Sequence, residues 1–162
     1  GLVFAEQNAI ETFVINTETN LNDPVFEEKT LDVLKKKNID VICLAGFMKI
    51  LSENFIKSFS KPILNIHPSL LPSFRGLNTF QRALNAGCLI HGATVHQLTK
   101  EVDQGPILGQ VIIKIAENST AKKIEEDLLP QEHLLYKIVL REFLKGNSRK
   151  VLLTDTLMGC QN

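Results

Sequence analysis

The chain has no excess of charge of either sign. Its 162 residues carry eighteen basic and eighteen acidic side chains. Bulk electrostatics therefore gives no reason to expect nucleic acid or an anionic membrane as a partner. Cysteine is scarce: three residues, Cys43, Cys88 and Cys160, are scattered without short spacing. That pattern suggests neither a disulfide framework nor a zinc site, and no other metal-ligand spacing occurs. No apolar run approaches the length of a membrane span, and no signal peptide, repeat, linker or low-complexity stretch is recognisable. A reducing cytoplasm is the expected compartment. What is present is an ordinary balance, 44% apolar and 22% charged residues. A chain of this length suits one domain with one core. The first residue, Gly1, enters what reads as the middle of a helix, so the N-terminus is read as truncated.

Strand and helix patterns alternate, which points to an α/β layered domain. Residues 10–16 (IETFVIN) read as a short strand. Asp23 reads as an N-cap with Pro24 at the first helical position. Glu27 and Glu28 in the first turn and Lys35, Lys36 and Lys37 in the last complement the helix dipole. The apolar stretch 39–45 reads as a fully buried strand of a parallel sheet, with Cys43 as a small buried hydrophobe. A short helix is expected over 52–59, a strand over 62–66 and a helix over 77–86 with Gly87 as its stop. Strands are expected over 92–98 and 108–115, flanking the loop 99–106. The last helix should run over 120–145 and end at Gly146. Ile124, Leu128, Leu135, Val139 and Phe143 share one of its faces, and Pro130 should kink or interrupt it.

The chemistry is concentrated in two stretches. In Asn65-Ile66-His67-Pro68-Ser69-Leu70-Leu71-Pro72, Asn65 and His67 lie two apart at a strand end, so they share a face. The carboxyl end of such a strand is where open α/β sheets place ligands. A donor amide beside an imidazole suits a reaction that builds negative charge on a carbonyl oxygen. Taken singly, His67 would read as a hydrogen-bonded structural histidine and Asn65 as a turn former. In the second stretch, Asp103 lies in a loop shaped by Gly105 and Pro106. A carboxylate near an imidazole would orient the ring or keep it charged. On spacing alone an Asx-turn is the better reading of Asp103, and its combination with the first stretch is what raises it.

Asn65 to Gly76 (NIHPSLLPSFRG), the segment HGATVHQLTKEVDQGPILGQ at 91–110 and LAGFMKILS at 44–52 together resemble the folate-dependent formyltransferases. The resemblance extends from about Gly1 to Gly146. It implies a Rossmann-like formyltransferase fold: a mostly parallel central sheet flanked by helices, as one domain over 1–162 with its catalytic core at about 39–146. It implies a catalytic trio of Asn65, His67 and Asp103. Met48, Lys49, Ile50 and Leu51 would line the folate pocket, where Asn65 also takes part; without the resemblance Met48 and Ile50 would be ordinary core residues. Gln131-Glu132-His133 is similar to a stretch of the members that act on glycinamide ribonucleotide, and implies that Glu132 holds the acceptor's ribose. Otherwise Glu132 and His133 would be a solvated helix face.

The implied reaction moves the formyl group of 10-formyltetrahydrofolate, as co-substrate, to the primary amine of glycinamide ribonucleotide in purine synthesis. No metal takes part, and the partners are small molecules, with a monomer or homodimer expected. A formyltetrahydrofolate deformylase would use water as acceptor, but Pro68-Ser69-Leu70 matches the transferase form. A methionyl-tRNA formyltransferase would carry a further C-terminal domain. A non-catalytic folate-binding fragment is the rival from a different class. Against the family pattern, the glycine-rich phosphate loop after a first strand is absent. Asp23-Pro24 stands where a basic residue is expected, and Asn78 and Phe80 stand where histidines are common.

Overall fold

The computed structural model describes residues 1–16 and 23–154; Cys160 lies outside them. The chain divides into two compact units, one formed by Gly1–Ile39 with Met48–Ser60 and the other by Asp40–Phe47 with Lys61–Asn162. Among the described residues no helix is long and apolar enough to cross a membrane.

The first unit is helical. It holds α1 (Leu2–Gln7), α2 (Pro24–Lys36) and α3 (Glu53–Phe59). The expected start of α2 is present: the Asp23 carboxylate accepts the Phe26 N–H at 3.0 Å, with Pro24 in the first turn. This satisfies one of the donors that a helix start leaves open. Glu27 on the same turn accepts the backbone N–H of Ser52 at 2.6 Å and also its hydroxyl. Ser52 in turn caps α3 by accepting from Phe55 N. One carboxylate thus ties the start of α2 to the start of α3, and Phe55 and Phe59 of α3 are buried. Residues 10–16, expected as a strand, carry no strand ladder. An apolar alternating segment becomes a strand only through a neighbour, and none pairs with it among the described residues.

The second unit is a sheet with helices. Its strands are β1 (Ile42–Leu44), β2 (Ile63–His67), β3 (Ile90–Gln97), β4 (Ile107–Lys114) and β5 (Val151–Thr154), in that spatial order. The α/β class stands, but the sheet is mixed, where a mostly parallel one was expected. β1–β2 and β4–β5 are parallel, whereas β2–β3 and β3–β4 are antiparallel. The link between β3 and β4 explains one antiparallel pair: the short loop after Gln97 cannot make the crossover that parallel strands need.

The helices α4 (Thr79–Asn85) and α5 (Ala121–Leu144) complete this unit. The core lies between α5 and one face of the sheet, where Ile124, Leu128, Leu135 and Val139 meet Ala93, Val95, Val111 and Ile113. Gly109 lets α5 come close. A Cβ there would sit 2.5 Å from Val139 Cγ2 and 3.2 Å from Leu135 Cδ1. Phe143, expected on the buried face, is only half-buried.

Pro130 does not interrupt α5, which is continuous from Ala121 to Leu144. Proline frees the carbonyl four residues earlier, here that of Glu126. Both Pro130 and Glu126 are exposed, so water can take that bond. The stretch 39–45 is neither a long strand nor fully buried: β1 covers three residues, and Cys43 at its centre is exposed. β1 has a strand neighbour on one side alone in the described sheet. β5, which had no counterpart in the sequence reading, pairs with β4 from Gly109↔Val151 to Ile112↔Thr154.

Candidate active site

Strand register builds the site. Asn65 of β2 lies opposite His96 of β3, and His67 lies opposite Thr94, which in turn faces Gln110 of β4. Directly opposed residues share a face, and so do residues two apart on one strand. Two rows of polar side chains thus run across one face of the sheet, at the end where β2 finishes.

The loop between β3 and β4 brings Asp103 to these rows. Asp103 has φ +54, in the left-handed region that aspartate tolerates better than most residues. Gly105 then passes so close to Gln97 that a Cβ would lie 1.7 Å from its carbonyl oxygen. No side chain fits there, so the glycine sets the return path of the loop. The Asp103 carboxylate accepts the Gly76 N–H at 3.0 Å. Its oxygens also face two imidazoles: Oδ2 is 3.5 Å from His67 Nδ1, and Oδ1 is 3.7 Å from His96 Nε2. His67 and Asp103 are 8% and 9% exposed, so water screens this pairing little.

The other nitrogen of His67, Nε2, lies 3.2 Å from the Phe74 carbonyl oxygen. Each ring nitrogen therefore faces an oxygen acceptor, an environment that a doubly protonated ring satisfies on both sides. His96 is different. Its Nδ1 lies 3.3 Å from the Gln97 carbonyl and its Nε2 3.3 Å from Asn65 Nδ2. The network assigns Nδ1–H as donor to the carbonyl and Nε2 as acceptor from the Asn65 amide, the neutral tautomer. Burial pushes the His96 pKa down; the Gln97 carbonyl and Asp103 oppose that, and His67 adds to it. His96 thereby fixes the orientation of Asn65, whose second N–H stays available.

The structure brings Asn65, His67 and Asp103 together, as the sequence reading required. It adds His96, which was visible in the GATVHQ stretch but had no role there. Only the cross-strand register with Asn65 reveals one. Met48, Lys49, Ile50 and Leu51 lie in the first unit, just before α3. Met48 is 70% and Ile50 50% exposed, which removes the core reading of both. The Lys49 ammonium stands 5.5 Å from the centre of the Phe26 ring. On α5, His133 is exposed but Glu132 is half-buried, so Glu132 is not part of a fully solvated face. Burial, and secondarily Glu125, pushes the Glu132 pKa up to about 6.

The formyl transferase family model matches residues 1–140. Phosphoribosylglycinamide formyltransferase of Haemophilus influenzae is 40% identical over 149 residues, covering 92% of this chain and 70% of that protein. The trifunctional purine biosynthetic protein adenosine-3 of Bos taurus is 38% identical over 149 residues, covering 92% of this chain and 15% of its own length. The crystal structure of phosphoribosylglycinamide formyltransferase from Anaplasma phagocytophilum superposes with a TM-score of 0.86 at 32% identity. That match spans 95% of this chain and 79% of the other.

Proposed function

Because this chain belongs to the formyl transferase family, we propose that it transfers the formyl group of 10-formyltetrahydrofolate to the primary amine of glycinamide ribonucleotide. The observation that carries the reading is the Asp103 carboxylate set between two imidazoles, beside an asparagine that one of those imidazoles orients. The names of the relatives at 40% and 32% identity support the choice of acceptor.

The acceptor amine attacks the formyl carbon. A carbon–nitrogen bond forms, and the formyl C=O electrons move to oxygen. That oxygen takes the place of the Phe74 carbonyl at His67 Nε2 and receives the free Asn65 N–H. Two donors held in advance where charge develops are the main source of acceleration in such a site. Asp103 holds the charge on His67 and accepts the amine proton, directly or through water. Collapse of the tetrahedral intermediate breaks the bond to N10 of the folate, which takes up a proton and leaves as tetrahydrofolate. Folate binding by Met48, Lys49, Ile50 and Leu51 rests on the family resemblance and on the exposure of Met48 and Ile50, and ribose binding by Glu132 rests on the family resemblance. Both units serve one formyltransferase domain, in line with a family match that runs through both.

The test follows release of tetrahydrofolate from 10-formyltetrahydrofolate with and without glycinamide ribonucleotide. Acceptor-dependent release is expected. Equal release in both conditions would point to a hydrolase, and folate binding without release to a binding fragment; either would overturn the proposal.

A further inference from the structure

The stretch that follows His67 is held residue by residue. The Pro68 carbonyl lies 3.0 Å from His91 Nε2. The Thr94 hydroxyl donates to the Ser69 carbonyl at 2.7 Å and itself accepts the Leu71 N–H at 3.0 Å. Gln110 Nε2 donates to the Leu71 carbonyl and to Thr94 Oγ1, both at 3.0 Å. Between these bonds Leu70 seats on Gly92, where a Cβ would come within 2.7 Å of Leu70 Cδ2. Four successive residues after the imidazole are therefore docked on β3 and β4. None of the docking groups takes part in the proposed chemistry.

His91 and Gln110 hold the two ends of this stretch. His91 is 1% exposed and packs beside the Phe80 ring at 5.2 Å between centroids. It lies three residues from Thr94 on β3, so alternation puts it on the opposite face from Thr94 and Gln110. The stretch is gripped from both faces of the sheet. We propose that His91 and Gln110 are positioning residues for His67, fixing its ring against Asp103 through the backbone of residues 68–71. As applied to catalysis this rests on the formyl-transfer reading above.

The chemistry of His91 fits the role. Its Nε2–H is committed to the Pro68 carbonyl. Burial lowers its pKa, the Pro68 bond works against that, and His67 lowers it further. A neutral His91 places no charge beside His67 and keeps its bond to the Pro68 carbonyl constant.

His91→Leu retains bulk without a donor, His91→Gln retains a donor of similar reach, and Gln110→Met removes both of its bonds at nearly constant volume. The chain has four histidines, so the His67 ring resonances can be assigned by their loss in His67→Asn. His91→Leu and Gln110→Met should each move the His67 resonances in substrate-free protein. Each should lower kcat about 10- to 100-fold with KM little changed, the size of effect that misplacing a reacting group by about 1 Å produces. His91→Gln should restore both readings toward the parent. Unmoved His67 resonances in folded variants, or a change confined to KM, would overturn the proposal. Should His91→Leu fail to fold, Gln110→Met at a partly exposed site carries the test alone. The resonances are read without substrate, so absence of formyl transfer counts against the proposed function while the resonance shift still decides the clamp.

Discussion

Replacing Asp103 with asparagine keeps the size and shape of the side chain but removes its charge and, with it, the acceptor of the amine proton. The asparagine oxygen can still accept the Gly76 N–H, so the loop keeps its tie. Besides the proton acceptor, what disappears is the attraction between the carboxylate and a protonated His67 at 3.5 Å. With an effective dielectric of about 20, two unit charges at that distance attract by roughly 5 kcal/mol. The net effect is smaller because the neutral amide still offers an oxygen, and a charge-assisted hydrogen bond contributes about 1.5–3 kcal/mol. A loss of about 2–4 kcal/mol of transition-state stabilisation corresponds to roughly a 30- to 1,000-fold fall in kcat. Initial rates at saturating concentrations of both substrates measure this, with folate affinity and melting temperature as controls. Asp103→Asn turning over within threefold of the parent would refute the charge-pairing argument.

Three further outcomes follow from the same geometry. Burial sets the folded-state pKa of His91 and His96 below the ordinary value of about 6.5, so the unfolded chain takes up protons first. Stability should be fully present above about pH 6.5 and fall as pH drops below it, by up to about 1.4 kcal/mol per pH unit for each ring. Urea unfolding between pH 7.5 and 5.5 checks this, and a flat profile would contradict it. Glu132 is raised to about 6, so its buried charge destabilises the fold at neutral pH. Glu132→Gln should raise the melting temperature at pH 8, with the gain shrinking as pH falls through 6, while KM for glycinamide ribonucleotide rises. Unchanged melting and KM would count against both roles of Glu132. Gly109→Ala forces a methyl group to 2.5 Å from Val139 Cγ2 and 3.1 Å from the Val151 carbonyl. Overpacking of this kind costs about 1–3 kcal/mol, and a melting temperature equal to the parent's would show that α5 does not bear on β4 so closely.

Features encoded by near neighbours were legible in the sequence. Asp23 and Ser52 mark helix starts because their side chains bond the backbone three residues on. Gly146, with φ +73, marks the end of α5 for an equally local reason. Asn65, His67 and Asp103 were singled out through their motifs, and the structure adds their mutual geometry. What stayed hidden depends on pairing across long sequence separations. β5 follows the polar run Ser148-Arg149-Lys150 and gains its identity from β4, some forty positions earlier. The strand directions, the role of His96 opposite Asn65, and the grip of His91 and Gln110 on residues 68–71 all depend on register. The exposure of Cys43 has the same origin: its apolar neighbours suggested burial, but among the described residues its strand has a partner on one side alone. Residues 10–16 failed as a strand because alternation supplies a surface and not the partner that pairs with it.

The claim on which the account depends is that His67 donates to the developing oxyanion. His67→Ala removes that donor at the end of β2, while Asn65, His96 and Asp103 retain their own backbone settings. One oxyanion donor is worth about 10²–10³ in rate. In acceptor-dependent formyl transfer at saturating substrates, kcat of His67→Ala should fall by at least about a hundredfold with melting temperature and folate affinity preserved. Turnover close to that of the parent would contradict the account.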